Sequence, residues 1–132
     1  MKRYFLFVIM IVSVALLAGC GSSNQMLQAG GMDVGKELMG SFGSVGDILG
    51  SITDVASAEA AAPKLDVLNT DLDGIVSAAS SLSPEGKLSI SEMAASQIPP
   101  LKAAMDTAYA IPGVKDVIQP PMDSLLEKYA GF

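Results

Sequence analysis

The sequence predicts an all-α protein whose folded part is a small bundle of about three to five helices. In two stretches the apolar residues recur at alternating spacings of four and three, which is typical of one apolar stripe along a helix. No stretch alternates apolar and polar residues as a half-buried strand does. The first stripe consists of Leu38, Phe42, Val45, Leu49, Ile52 and Ala56, and the second of Leu65, Leu68, Leu72, Ile75, Ala79 and Leu82.

Breaks in the helical pattern predict where the helices begin. Pro63 is expected in the first turn of the second helix, where proline is tolerated. Residues 83–86, with their Pro and Gly, predict a turn. Ser89 and Glu92 then have the spacing of a capping box, which predicts that a third helix begins there.

Two Pro-Pro pairs predict further boundaries, because proline removes a backbone donor and disfavours helix in the residue before it. The pair at 99–100 is expected to interrupt the third helix. The pair at 120–121 is expected to lead into the last one. Bulky apolar residues follow both pairs, which suits two helices that each begin with proline.

The N-terminal segment has the features of a cleaved signal helix that precedes this bundle. Lys2 and Arg3 supply positive charge, and Ser13 is the only polar side chain after Tyr4 in the apolar run up to Leu16. This run is about thirteen residues long, whereas a membrane-spanning helix needs about twenty. The pattern therefore favours a secretory signal over a permanent anchor.

Residues 17–20, Leu-Ala-Gly-Cys, resemble the lipobox of bacterial lipoproteins. The resemblance implies cleavage between Gly19 and Cys20 and attachment of diacylglycerol to the Cys20 thiol. Several acyl chains hold a protein firmly at a bilayer, so the membrane would be a partner through the lipid. The expected organisation is a signal peptide at 1–19, a lipidated flexible tether at 20–31 and a helical domain at 32–132.

Gly21 bears on which membrane is expected. In Gram-negative lipoproteins an Asp directly after the cysteine favours retention in the inner membrane, and this chain has Gly21 there. The resemblance therefore implies the periplasmic face of the outer membrane. In a host with one membrane it implies the exterior of the plasma membrane.

Composition excludes several classes of function. All fourteen acidic residues but only six of the eight basic ones lie beyond residue 19, so the remainder carries a net charge of −8. Nucleic-acid binding, which needs basic patches, is therefore not expected. The chain has no His, and Cys20 is its one cysteine, which excludes imidazole metal sites, Ser-His-Asp triads and thiolate zinc sites. We expect a non-catalytic protein without a cofactor.

Glycines between residues 30 and 50 are the candidate packing positions. Small residues at helical spacing allow two helix backbones to approach closely, and the segment loosely resembles the glycine-zipper stretches of some envelope lipoproteins. Lys36, Glu37 and Asp47 argue against insertion into a membrane, where charges are costly. The candidates are Gly31, Gly35, Gly43, Gly46 and Gly50.

A calcium loop is the competing interpretation of one acidic segment. Residues 69–75 match the first seven positions of an EF-hand loop, but Ser80 occupies the twelfth position, where the loop requires Glu. Leu72 and Ile75 also continue a helical stripe through the segment. We therefore expect a solvated helix face and no metal site.

The predicted function is that of a lipid-anchored envelope protein acting through helix–helix contacts, by self-association or by docking on an envelope complex. The glycine-rich helix and the stripe at 65–82 are the expected contact surfaces. The alternative is a module that binds an amphiphile or lipid in an apolar groove lined by Met and Ala between helices.

Overall fold

The structure is a computed structural model that describes residues 27–132. Four helices make up most of this part, so the all-α prediction is confirmed. The elements are β1 (Gln28–Ala29), β2 (Met32–Asp33), α1 (Val34–Gly50), α2 (Val55–Ala79), α3 (Pro84–Tyr109) and α4 (Val114–Ala130).

A short antiparallel hairpin precedes α1. Its strands pair Gln28 with Asp33 and Ala29 with Met32. Gly30 and Gly31 form the turn with φ values of 59° and 81°, a conformation that glycine adopts without strain. The hairpin therefore straddles residue 31, where the tether was expected to end, and strands of two residues are too short for alternation to reveal them.

Helix α2 begins well before Pro63, so the predicted break there is wrong. The Asp54 side chain caps the helix by accepting from the Ser57 backbone N–H at 2.7 Å, and Ser57 Oγ accepts from the Asp54 N–H. Hydrogen bonding to the carboxyl by Ser57, first by its backbone N–H and then by its side chain, holds the pKa of Asp54 below its usual value. Pro63 is exposed within the helix, so water can serve the carbonyl that its ring leaves unpaired.

Helix α3 begins at Pro84, and the predicted start at Ser89 and Glu92 is therefore wrong. Ser83 is the N-cap, and its hydroxyl accepts from the Gly86 N–H at 3.1 Å. Pro84 occupies the first turn, where a missing N–H costs nothing. The turn predicted at 83–86 is thus a cap followed by the first residues of the helix.

The two Pro-Pro pairs lie inside helices, which contradicts both predicted boundaries. Residues 99–100 are within α3 and residues 120–121 within α4. Helix α4 begins after Gly113, whose φ of 81° reverses the chain. Both pairs face outward at least in part, so the prolines disturb the exposed side of each helix while the buried stripe continues.

Helices α2 and α4 lie side by side and run in the same direction. Asn69 Nδ2 donates to the Pro121 carbonyl at 2.9 Å. Further along both helices, about one turn beyond Asn69 and two turns beyond Pro121, Lys128 Nζ lies 2.6 Å from a carboxylate oxygen of Asp73. Later residues of α2 therefore contact later residues of α4, as they do in a parallel pair of helices.

Helices α1 and α3 form a second parallel pair. Gly35 lies next to Met93, and Gly46, further along α1, lines the same cleft as Ala104, further along α3. Short connections at 51–54, 80–83 and 110–113 reverse the chain after each helix. The chain thus runs up, down, up and down.

The connection from α2 to α3 crosses the bundle diagonally. Helix α1 packs against α2 and α3, and α4 packs against the same two helices, whereas α2 and α3 have few contacts with each other. We call the end where α1 and α3 begin and α2 and α4 finish the hairpin end. The opposite end is the far end.

Both predicted apolar stripes form the core, as the helical periodicity requires. In the first stripe Ala56 alone is exposed, and in the second Leu68 is half-buried while the others are buried. The largest fully buried side chains are Tyr129, Leu38, Leu65, Leu72, Ile90, Ile118, Met122 and Leu125.

An aromatic contact joins α1 and α4 across the diagonal of the core. The Phe42 and Tyr129 rings are stacked, with centroids 3.9 Å apart and planes inclined by 19°. The Tyr129 hydroxyl and the Ser41 hydroxyl are hydrogen-bonded at 2.6 Å in a buried position. Burial raises the pKa of Tyr129, and the Ser41 hydrogen bond lowers it in part.

The buried hydroxyl pair predicts non-additive mutations. Ser41→Ala and Tyr129→Phe should each lower the free energy of unfolding by about 1–3 kcal/mol, because each leaves one buried hydroxyl without a partner. The double variant removes both hydroxyls and should cost less than the sum of the single variants. Urea denaturation of the four proteins measures this coupling, and strictly additive losses would contradict it.

The raised pKa of Tyr129 predicts alkaline destabilisation. The native state keeps the phenol protonated at pH values where the unfolded chain, with a pKa near 10.0, has lost the proton. The contribution of the protonated Tyr129 to the free energy of unfolding is therefore complete below the unfolded-state pKa, and it is lost as the pH rises through the higher native pKa. Urea midpoints should fall across this range, and less steeply in Tyr129→Phe; equal slopes would refute the assignment.

Candidate functional site on helix α1

The predicted lipidation residue Cys20 and the cleavage residue Gly19 lie outside the described residues. The described chain begins at Leu27, whose carbonyl accepts from the Val34 N–H at 2.8 Å. Within residues 27–132, no helix has the length and apolar character needed to cross a membrane.

The five candidate glycines divide into three structural groups. Gly31 and Gly35, which form a group each, do not lie on an exposed helix face. Gly31 belongs to the hairpin turn. Gly35 is buried, and a Cβ there would lie 2.7 Å from Leu27 Cδ1. Gly35 thus serves close packing within the chain, between the first turn of α1 and the hairpin.

Gly43, Gly46 and Gly50 form the third group, on the exposed side of α1. A Cβ built at any of them has no atom within 4 Å outside its own surroundings, and the same is true of Gly40. At 3.6 residues per turn the four positions fall within roughly a third of the helix circumference. We call Gly40, Gly43, Gly46 and Gly50 the glycine face; its spacing of three, three and four residues could have identified Gly40 too.

Charged and apolar side chains border the glycine face. Lys36 and Asp47 are exposed on the same side of α1, about three turns apart, and Met39 between them is 37% exposed. The glycine face therefore carries few side-chain atoms of its own and has opposite charges about three turns apart.

A cleft of about 110 Å³ adjoins the glycine face between α1 and α3. Gly46 forms one wall and Pro100 the other, with Phe42 and Leu101 among the deeper lining residues. Because Gly46 has no side chain, a side chain from another helix could enter this cleft from the glycine face.

The stripe at 65–82 is not a contact surface, which corrects the second part of the prediction. Leu65 and Leu72 are fully buried, and Ile75 and Leu82 are 6% and 7% exposed. The stripe is occupied in packing α2 against the rest of the bundle. An outside partner could reach it only if the bundle opened.

Asn69 lies at the centre of a polar network between α2 and α4 that the sequence did not reveal. Its side-chain oxygen accepts from Ser124 Oγ at 2.9 Å, and its carbonyl oxygen accepts from Lys128 Nζ at 2.8 Å. The residue belongs to continuous helix, so the calcium-loop interpretation of 69–75 is wrong. Residues 27–132 contain no group of three or more acidic, His or Cys residues suited to a metal ion.

Tyr109 is the second tyrosine with a perturbed environment. Burial first, and then the nearby Asp123 and Asp106 carboxylates, raise its pKa. Its hydroxyl oxygen is buried without a hydrogen-bond partner among the described residues, and Lys115 Nζ lies 5.9 Å from the ring centroid. This arrangement offers no nucleophile paired with a base.

Two further clefts bear on the alternative of amphiphile binding. One of about 240 Å³ lies at the hairpin end, with a mainly apolar lining that includes Val76, Ile90 and Phe132. Another of about 390 Å³ lies between α2 and α4, beside Asp66, Pro121 and polar side chains of the Asn69 network. Of the predicted Met and Ala lining, both clefts have an alanine, Ala79 and Ala62, and neither has a methionine.

The open position of the glycine face predicts that small side chains there stabilise the protein. Gly43→Ala and Gly46→Ala should each raise the free energy of unfolding by about 0.5–1 kcal/mol, because alanine favours helix and its Cβ meets nothing. Gly35→Ala should gain less, since Leu27 must move. Urea denaturation measures this order, and a loss of stability at Gly43 or Gly46 would contradict the open position.

The chain was compared with protein-family models, with curated proteins and with solved structures. None of the three comparisons finds a match. The geometry of residues 27–132 and the motifs of the sequence are therefore the basis for a proposed function.

Proposed function

We propose that the protein is a lipid-anchored, non-catalytic component of the bacterial cell envelope, and that the glycine face of α1 packs against a helix of a partner. The partner is a second copy of the chain or a subunit of an envelope complex. The acyl chains on Cys20 hold the protein at the periplasmic face of the outer membrane, or at the exterior of the plasma membrane in a host with one membrane.

The observation that carries this proposal is the exposure of four glycines along one side of α1. Each glycine in a helix costs about 0.5–1 kcal/mol relative to alanine, and nothing within the bundle requires its small size at these four positions. Close approach of another helix backbone is what a glycine permits and alanine hinders. A partner helix would offset the cost that the isolated bundle bears.

The cleft beside Gly46 adds specificity to such a contact. A side chain of the partner helix can enter between Gly46 and Pro100 and reach the Phe42 ring. Lys36 and Asp47 then offer opposite charges about three turns apart along the interface. This combination of a central apolar cleft and a charged rim is typical of protein interfaces.

The anchor is supported by the order of signals in the first twenty residues. Positive residues, a short apolar run and the Leu-Ala-Gly-Cys sequence occur in the order that a lipoprotein precursor requires. The absence of His and of any cysteine besides Cys20 from the sequence supports a non-catalytic role, since the common nucleophile–base pairs are missing.

Mass spectrometry and fractionation test the anchor. In a bacterial host the mature protein should lack residues 1–19, carry acyl chains on Cys20 and sediment with membranes. A Cys20→Ser variant should not be processed to this form, because it lacks the acylated thiol. Recovery of the wild-type chain with residues 1–19 present and Cys20 unmodified would refute the anchor.

Photocrosslinking tests the glycine face. A photoreactive residue at Met39, which borders this face, should give a discrete crosslinked product in membranes, joining either two copies of the chain or the chain and another protein. Gly46→Leu should abolish the product by filling the cleft. Its thermal unfolding temperature should not fall below the wild-type value, because leucine favours helix over glycine and the position is open.

Ala60→Leu is the matched control, because Ala60 is exposed on α2 away from the glycine face. The control should retain the crosslinked product. An unchanged product in Gly46→Leu would refute docking at this face, and an equal loss in both variants would show that any added bulk disturbs the protein.

Amphiphile binding is the second candidate, and the apolar cleft at the hairpin end favours it. Its volume of about 240 Å³ is slightly below the roughly 300–1,000 Å³ of typical ligand pockets. Lipid extraction from purified protein followed by mass spectrometry distinguishes the two candidates. A stoichiometric lipid not attached to Cys20 would favour binding, and its absence would favour the docking role.

A further inference from the structure

The position where the described chain begins limits how the bundle can sit relative to an anchor on Cys20. Six residues, 21–26, separate Cys20 from Leu27. From Cys20 to Leu27 there are seven steps between consecutive Cα atoms. At no more than about 3.6 Å per step, they span at most about 25 Å. The bilayer must therefore lie within that distance of Leu27.

Leu27 lies nearer to the hairpin end than to the far end. It contacts Gly35 in the first turn of α1, beside Met93 of α3. From Met93 the start of α3 at Pro84 is about 14 Å away along the helix, whereas the far end at Ala110 is about 25 Å away. A bilayer at the far end would require every residue of the tether to be fully extended.

The hairpin end also exposes apolar surface. Leu88, one turn into α3, is 62% exposed, and Val76, near the end of α2, is 39% exposed. The apolar cleft of about 240 Å³ lies at this end between α2, α3 and α4, and Phe132 forms part of its wall. Lys87 also lines the cleft and supplies a positive charge there.

We propose that the hairpin end lies against the phospholipid bilayer that holds the anchor, with Leu88 in the interface and the cleft open toward the lipid. This inference rests on the proposed lipid anchor and adds an orientation to it. Helices α1–α4 then project from the membrane. The occupant of the exposed apolar surface is the bilayer itself, because the tether allows it to approach this end without being stretched.

Fluorescence quenching by lipids tests the orientation on the full, lipidated protein in vesicles of phosphatidylethanolamine and phosphatidylglycerol. An environment-sensitive label is attached to Ser81→Cys at the hairpin end or to Ala110→Cys at the far end, both exposed positions. Acylation of Cys20 leaves the introduced thiol as the reactive one. Lipids brominated near the headgroup should quench the label at position 81 and leave that at 110 unaffected.

Leu88→Asp should remove most of the quenching at position 81, because a charged side chain resists entry into the interface. Val67→Asp is the matched control, since Val67 is 60% exposed and lies in the middle of α2. The control should leave the quenching unchanged. Both replacements are at exposed sites, so both variants should unfold at the same temperature as the parent protein.

The outcomes separate the orientation from the anchor. Equal quenching at positions 81 and 110, or stronger quenching at 110, with acylated Cys20 would overturn the orientation and leave the anchor intact. An unmodified Cys20 in the mass spectrum would overturn both. Loss of quenching in Leu88→Asp alone, with Val67→Asp unaffected, is the expected result.

Discussion

The contact between α1 and α4 across the diagonal of the bundle determines which side of α1 remains outside. Phe42 stacks on Tyr129, and the adjacent Ser41 is hydrogen-bonded to the same tyrosine. Two neighbouring residues of α1 are thus held by one residue of α4, and this leaves little freedom for α1 to rotate about its axis. With Ser41 and Phe42 directed inward, helix geometry directs the glycine face outward. The candidate interface is therefore a consequence of the core.

Local sequence rules predicted the stripes but misplaced the starts of α2, α3 and α4. The stripes were predictable because a period of 3.6 residues depends only on the sequence, and residues such as Leu38 and Leu72 are buried as expected. The helix boundaries predicted at the prolines were wrong for an energetic reason. A proline within a helix costs about 3 kcal/mol locally, whereas the apolar stripe on either side of Pro63 gains a comparable amount for each large side chain that it buries. Because Pro63 is exposed, water can hydrogen-bond to the carbonyl that the proline leaves unpaired, and the loss of helix stability is small. Whether a residue is exposed depends on the fold, so the local sequence could not reveal it.

The five candidate glycines do not share one environment, and the reason again lies in the fold and not in the local sequence. Spacing alone cannot distinguish Gly35, which packs beneath the hairpin, from Gly43, which faces open space. That distinction depends on the hairpin, whose two-residue strands leave no periodic signal. The diagonal connection between α2 and α3 could not be predicted from the sequence either. A short loop at 80–83 is compatible with α3 lying either beside α2 or diagonally across from it. The Asn69 network then favours the parallel pairing of α2 with α4, since its hydrogen bonds exist only in that register.

The proposed orientation restricts the partner of the glycine face. Two copies held in one membrane with their helices projecting from it are related by an axis along the membrane normal, so their α1 helices would pack in parallel. Lys36 would then face Lys36, and Asp47 would face Asp47. An antiparallel pair would join Lys36 to Asp47, but it would direct one hairpin end away from the bilayer. The net charge of −8 beyond residue 19 adds repulsion between copies. Of the two proposed partners, a different envelope protein is therefore favoured, one whose helix presents an acidic residue near the membrane opposite Lys36 and a basic residue further out opposite Asp47.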